Sequence, residues 1–126
     1  VMLVGPAGCG KTANRDLLGA ALTWMSETAC PGPFARRVQQ SCLKPKAIPY
    51  GGLYGELDAY TGEWRDGVLA ILAKTMVAEP SLDHQWIVFD GPVDTLWIES
   101  LNSVLDDSKL LCLDNGVRIR LPDQMR

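Results

Sequence analysis

One segment, Gly5-Pro6-Ala7-Gly8-Cys9-Gly10-Lys11-Thr12, restricts this chain more than anything else in it. It satisfies the spacing G-x-x-x-x-G-K-[ST], between an apolar run, Val1–Val4, and a stretch that repeats Leu17, Ala21, Trp24 and Met25 at helical spacing. The expected order is therefore strand, glycine loop, helix. In that setting the glycines let the backbone turn successive N–H groups inward as a nest for an anion. The helix N-terminus adds about half a positive charge. Lys11 adds a full one near the outer phosphates, and the Thr12 hydroxyl is of the type that ligates Mg²⁺. A chance glycine turn before an ordinary helix is the bland alternative, and the filled motif in the right flanking context argues against it.

A phosphate site of this kind needs an acidic residue at the C-terminal end of a neighbouring strand, to hold the hydration shell of the metal. The continuous apolar run Trp86-Ile87-Val88-Phe89 reads as a strand buried on both faces of a parallel sheet, and it ends at Asp90. Asp90 is the candidate. The residue after it is Gly91, where a hydrolysing site would carry a carboxylate to polarise the attacking water. Loss of such a base typically forfeits ~10² to 10⁴ in rate, so the pattern suggests binding without efficient turnover and no catalytic residue. Asp94 and Glu99 are the alternative carboxylates, but acids at the start of a helix more often complement its dipole.

The remaining pattern supplies the scaffold. The sequence Cys30-Pro31-Gly32-Pro33 stops the first helix. Val38–Leu43 reads as a second strand ended by Pro45, and 44–62, with its glycines, prolines and all three tyrosines, as an ordered irregular loop. From Asp66, the stripe Val68, Leu69, Ile71, Leu72, Thr75, Met76 predicts a helix closed by Glu79-Pro80. Trp97, Leu101, Val104 and Leu105 predict a third helix after Pro92. Leu111 to Ile119 alternates about Asn115-Gly116, a hairpin signal. Trp24, Trp86 and Trp97 fall on expected core faces, His84 in an exposed loop, and Asp106-Asp107 at a solvated helix end. Trp64, in a glycine-rich stretch, either anchors that loop or contacts a partner.

Composition sets outer limits. The chain has 126 residues, 47% hydrophobic and 21% charged, with a formal net charge of −3. A chain of this size buries roughly two-thirds of its unfolded surface, enough for one core. Weak, dispersed acidity offers no basic field for a polyanion, which argues against nucleic acid as a partner. No run approaches the ~18 apolar residues of a spanning helix, and Val1–Val4 lacks the basic flank of a signal peptide, so no membrane partner is expected. Cys9, Cys30, Cys42 and Cys112 form no CxxC pair and His84 is the single histidine, so reduced cytosolic thiols are expected rather than zinc ligands. Both ends read as cuts from something larger.

With these motifs assembled, the chain resembles the dynein heavy chain family, and within it the second of the six AAA+ modules of the motor ring. The resemblance is carried by Gly5–Thr12, Lys44-Pro45-Lys46-Ala47-Ile48, Leu53-Tyr54-Gly55-Glu56-Leu57-Asp58 and Thr61-Gly62-Glu63-Trp64-Arg65-Asp66-Gly67. The most particular stretches are Trp86–Asp94 and Trp97–Asp107. It covers nearly the whole chain. Lys44-Pro45-Lys46 and Asp107-Ser108-Lys109 depart from the usual family residues without touching the phosphate logic.

The resemblance implies an α/β fold, the P-loop NTPase AAA+ large subdomain, with a parallel sheet flanked by helices plus a β-hairpin. Residues 1–126 would be an incomplete part of it, running from the P-loop through Walker B to that hairpin, with a sensor strand and helical lid to follow. It implies ATP at Gly5, Pro6, Ala7, Gly8, Cys9, Gly10, Lys11 and Thr12, with Thr12 and Asp90 meeting Mg²⁺, and a site that binds without hydrolysing. The implied partners are neighbouring AAA+ modules of the same heavy chain, and, through other parts of the intact protein, microtubules and dynein intermediate and light chains. The implied location is the cytoplasm and cytoskeleton, with Pro92 leaning toward an axonemal, ciliary or flagellar chain. An actively hydrolysing ATPase or phosphotransferase, and a scaffold with a vestigial loop, are the alternatives.

Overall fold

The computed structural model describes residues 1–28, 30 and 32–125. Helix α1 (Lys11–Glu27) leads to strand β1 (Val38–Leu43), a 3-10 turn (Pro45–Ala47) and the short helix α2 (Tyr50–Tyr54). An antiparallel hairpin follows, β2 (Gly55–Leu57) with β3 (Trp64–Asp66), then helix α3 (Val68–Ala78) and strand β4 (His84–Phe89). The chain continues through α4 (Thr95–Ile98), a 3-10 turn (Glu99–Leu101) and α5 (Asn102–Leu105) into a second hairpin, β5 (Leu110–Cys112) with β6 (Arg118–Arg120).

Strands β1 and β4 pair in parallel, from Val38↔His84 to Leu43↔Phe89. Side chains alternate across this ladder. Trp86 and Gln40, paired in register, stand on the side of α1, where both approach Gly19. Ile87, Phe89 and Leu43 point the other way, into a core of Leu53, Tyr54, Leu69, Ala70, Ala73, Met76, Leu101, Leu111, Leu113, Ile119 and Met125. The result is the expected α/β arrangement, a parallel sheet with α1 on one face and α3, the helical segment 95–105 and the second hairpin on the other.

Several sequence expectations are corrected. Val1–Val4 forms no strand. All four residues are exposed, because a strand exists only as a pairing and no described backbone pairs with them. Helix α1 does not seat on the predicted face: Leu17, Ala21 and Trp24 are exposed and Met25 is half-buried, so Trp24 is not a core residue. The helix lies on the sheet through Gly19, with Arg15, Leu22 and Thr23 half-buried beside it. The missing side chain lets the helix approach Gln40 and Trp86 closely, and the Thr23 hydroxyl accepts the Val38 N–H at 3.1 Å while donating to the Gly19 carbonyl at 2.9 Å.

Strand β4 is mostly half-buried rather than enclosed on both faces, and among the described residues its sheet has two strands. Along its other edge the Gln85 N–H donates to the Gln124 carbonyl and Gln85 bridges Met125 in parallel. His84 is not in a loop but opens β4, paired with Val38, its ring 3.3 Å from the Phe34 carbonyl. The third helix forms as expected over residues 95–105, tightening to a 3-10 turn at Glu99–Leu101. Asp94 caps its start by accepting the Leu96 N–H, and the Tyr54 hydroxyl donates to the Trp97 carbonyl. Trp97 stacks on Phe89, with ring centroids 5.2 Å apart.

The stretch 44–62 is more regular than expected, since it contains α2 and β2. Trp64 resolves as an anchor: its ring covers Gly55, where a Cβ would lie 2.3 Å from the indole, and its N–H donates to Asp66 at 2.9 Å. Helix α3 buries Leu69, Ala70, Ala73 and Met76, while Val68 and Ile71 of the predicted stripe are exposed. The small alanines let α3 approach α2. Gly67 makes the closest contact there, since a Cβ on it would fall 2.4 Å from the backbone carbon and oxygen of Leu53.

Two outcomes follow. Gly67→Ala forces backbone apart and should lower unfolding stability by about 1–3 kcal/mol, the usual range for overpacking, read from the denaturant midpoint. The Asp66 carboxyl, held below its ordinary value of 3.8 by Lys74 and then by the Trp64 indole, contributes stability fully present above that value. This contribution is lost as pH falls through the lower folded value. Asp66→Asn should therefore flatten the acid limb of the melting temperature against pH.

Candidate functional site

The glycine loop precedes α1 without a break, and two of its residues depend on glycine's freedom: Gly8 has φ +79° and Gly10, the helix N-cap, φ +85°. This left-handed conformation costs other residues about 1–2 kcal/mol each. Among the described residues no side chain caps α1, and no acid lies in its first turn. Its first N–H groups are thus left for an external acceptor, and the helix is long enough to carry a full terminal dipole. Gly8 faces open space, with nothing within 4 Å of where a Cβ would stand.

Lys11 lies over the loop. Its ammonium donates to the carbonyls of Gly5 at 2.8 Å and Pro6 at 2.9 Å, and lies 3.7 Å from Cys9 Sγ. The Cys9 N–H reaches the Pro6 carbonyl at 3.4 Å, closing the bend. A Cβ on Gly5 would sit 2.6 Å from Cys9 Sγ, so a side chain there requires the thiol to move. Thr12 is exposed on the first turn of α1. The sequence reading overlooked Asn14, whose side-chain amide donates to the Gly10 carbonyl at 2.9 Å alongside the helical bond from its own N–H. Its spacing of four residues from the last loop glycine was the available signal.

Asp90 follows β4 directly, its N–H donating to the Leu43 carbonyl at 2.8 Å, one step beyond the last strand pair. The alternation that turns Trp86 toward α1 places Asp90 on that same side of the sheet. Among the described residues no hydrogen bond or ion pair joins Asp90 to Lys11 or Thr12. Gly91 is exposed, and a Cβ there would meet only Pro45 Cδ, at 3.8 Å. Asp94 is engaged in helix capping through Leu96, and Glu99 sits exposed on the 3-10 turn beyond it.

The donor set suits a triphosphate with Mg²⁺. Free N–H groups and an ammonium would meet the phosphates, while one hydroxyl and one carboxylate would supply the oxygens Mg²⁺ prefers. Among the described residues no group of three or more His, Cys, Asp or Glu is placed to hold a metal alone, and Mg²⁺ in such sites relies on phosphate and water for its remaining ligands. Two surface clefts, of about 480 and 380 Å³, lie away from the loop. Volume is the weaker guide here, because the first is lined by Lys109 already paired with Asp123 at 2.5 Å and has no anion nest.

A glycine loop opening a helix that packs on a parallel sheet, with an aspartate at the end of the adjacent strand, defines a P-loop module of the α/β class. The family profile for the AAA domain, dynein-related subfamily, matches residues 1–126. The chain belongs to that family of nucleotide-binding domains. It is 46% identical over 125 residues to human dynein axonemal heavy chain 6, covering 99% of this chain. It is 48% identical over 124 residues to human dynein axonemal heavy chain 2, covering 98%. It is 44% identical over 120 residues to cytoplasmic dynein 2 heavy chain 1 of Tripneustes gratilla, covering 95%. The chain spans about 3% of the length of each of these relatives.

Proposed function

We propose that this AAA module binds ATP with Mg²⁺ through Gly5–Thr12 and Asp90 and hydrolyses it slowly or not at all, as the second module of a dynein heavy chain motor ring. The observation that carries the non-hydrolysing reading is the residue after Asp90. Gly91 has no group to take a proton from water, and the nearest substitute, Asp94, is engaged by the Leu96 N–H. The uncapped start of α1 and the ammonium already poised over the loop support the binding half.

In the intact protein the bound nucleotide would act as a structural or regulatory ligand, stiffening the ring while neighbouring AAA+ modules do the turnover. The names of the relatives favour a cytoskeletal setting, with microtubule-based movement in a cilium or flagellum ahead of a cytoplasmic one. Microtubules and the intermediate and light chains would be engaged by other parts of the heavy chain.

A ligand present at a hundredfold excess over its dissociation constant stabilises its binder by about 2.7 kcal/mol. ATP–Mg²⁺ should produce a shift of that order in the unfolding of the parent module and none in Lys11→Ala, with circular dichroism confirming that the variant is folded. Turnover at this site that survives Lys11→Ala would overturn the reading. Gly91→Glu has room for its side chain and should raise single-module turnover by about tenfold or more, measured as phosphate release with the other modules' sites disabled.

A further inference from the structure

The cleft of about 380 Å³ lies where the β2–β3 hairpin meets the turn of the second hairpin, and none of its lining residues belongs to the glycine loop. Its walls are aromatic and rigid. Tyr50 is tied by its hydroxyl, 2.8 Å from Ser100 Oγ, and its ring lies 5.0 Å from that of Tyr54. Trp64 is held by the bond from its indole N–H to Asp66. Leu57, 66% exposed, forms an apolar rim.

Among the described residues the charged ones lining the cleft are Glu56 and Asp114, both exposed acids. Among the described residues neither carboxylate is paired with a cation or accepts a hydrogen bond. The Glu56 side chain lies across Gly51, where a Cβ would come 2.1 Å from Oε2, so the glycine provides the space that the acid occupies. The neighbouring cation on the hairpin, Arg65, is directed to Asp58 at 3.7 Å and is not among the lining residues.

Two aromatic faces, two unpaired carboxylates and no lining cation form a surface complementary to one kind of side chain. A guanidinium is planar, stacks on aromatic rings and donates along its edges to carboxylates, whereas an ammonium is a compact and strongly hydrated point charge. We infer that this cleft receives an arginine side chain presented by another polypeptide segment, its plane against Trp64 and Tyr50 and its N–H groups directed to Glu56 and Asp114. Leu57 meets an apolar neighbour of that arginine. Because both aromatic walls are already fixed, docking orders few side chains on this side.

The test follows the Trp64 indole N–H resonance of the ¹⁵N-labelled chain, identified by its loss in Trp64→Phe. Capped Gly-Arg-Leu should shift it saturably, and capped Gly-Gln-Leu should leave it in place at about ten times the concentration. Glu56→Gln with Asp114→Asn should weaken the arginine peptide at least about fivefold, as two lost exposed charge contacts predict, with the unfolding midpoint unchanged. If that variant proves unstable, raising the salt on the parent chain from about 0.05 to about 0.5 M should weaken binding in the same way. Equal shifts by the arginine and glutamine peptides, or binding indifferent to both neutralisation and salt, would overturn the inference.

Discussion

The ladder between β1 and β4 is the constraint on which the rest of the structure depends. Because the two strands run parallel from Val38↔His84 to Leu43↔Phe89, a crossover must separate them in sequence, and α2, the first hairpin and α3 fill it. The same register divides side chains between faces. Trp86 and Gln40 go to α1, while Ile87 and Phe89 go to the core. A slip of one residue would exchange those sets, turning Asp90 from the face of α1 and leaving Phe89 without its stack on Trp97.

The candidate phosphate site combines backbone geometry with restraint of charge. Left-handed glycines, an uncapped helix start and a lysine drawn over the loop by the Gly5 and Pro6 carbonyls concentrate positive potential in a small volume of a chain whose net charge is −3. The acid side is sparse by comparison. Asp90 stands at the strand end, Gly91 beside it carries nothing, and Asp94 is used to begin a helix. That asymmetry between a well-equipped grip and a bare general-base position is the physical content of the binding-only proposal.

Where the sequence misled, a tertiary contact had displaced a local preference. The apolar spacing from Trp97 to Leu105 describes a regular α-helix, yet the segment tightens to a 3-10 turn at Glu99–Leu101, where Leu101 enters the core and the Tyr54 hydroxyl donates to the Trp97 carbonyl. The spacing of Leu17, Ala21, Trp24 and Met25 predicts the buried face of α1, yet the helix seats on Gly19, where Gln40 and Trp86 approach it closely. Trp64 could not be assigned from its neighbours alone, and the Gly55 backbone beneath its ring is what makes it an anchor.

The residues of the glycine loop, the strand before Asp90, the helix after Gly67 and the Asn115-Gly116 turn were all legible in the order of amino acids. Each rests on chemistry within a few neighbouring positions: backbone freedom, period and capping. What the chain order could not supply is which face of each element is covered, that Asp90 shares a side of the sheet with α1, and that Tyr50, Glu56, Trp64 and Asp114 line one cleft. Those outcomes depend on contacts between residues far apart in sequence, where packing volume and strand register select among faces that local pattern leaves nearly equivalent.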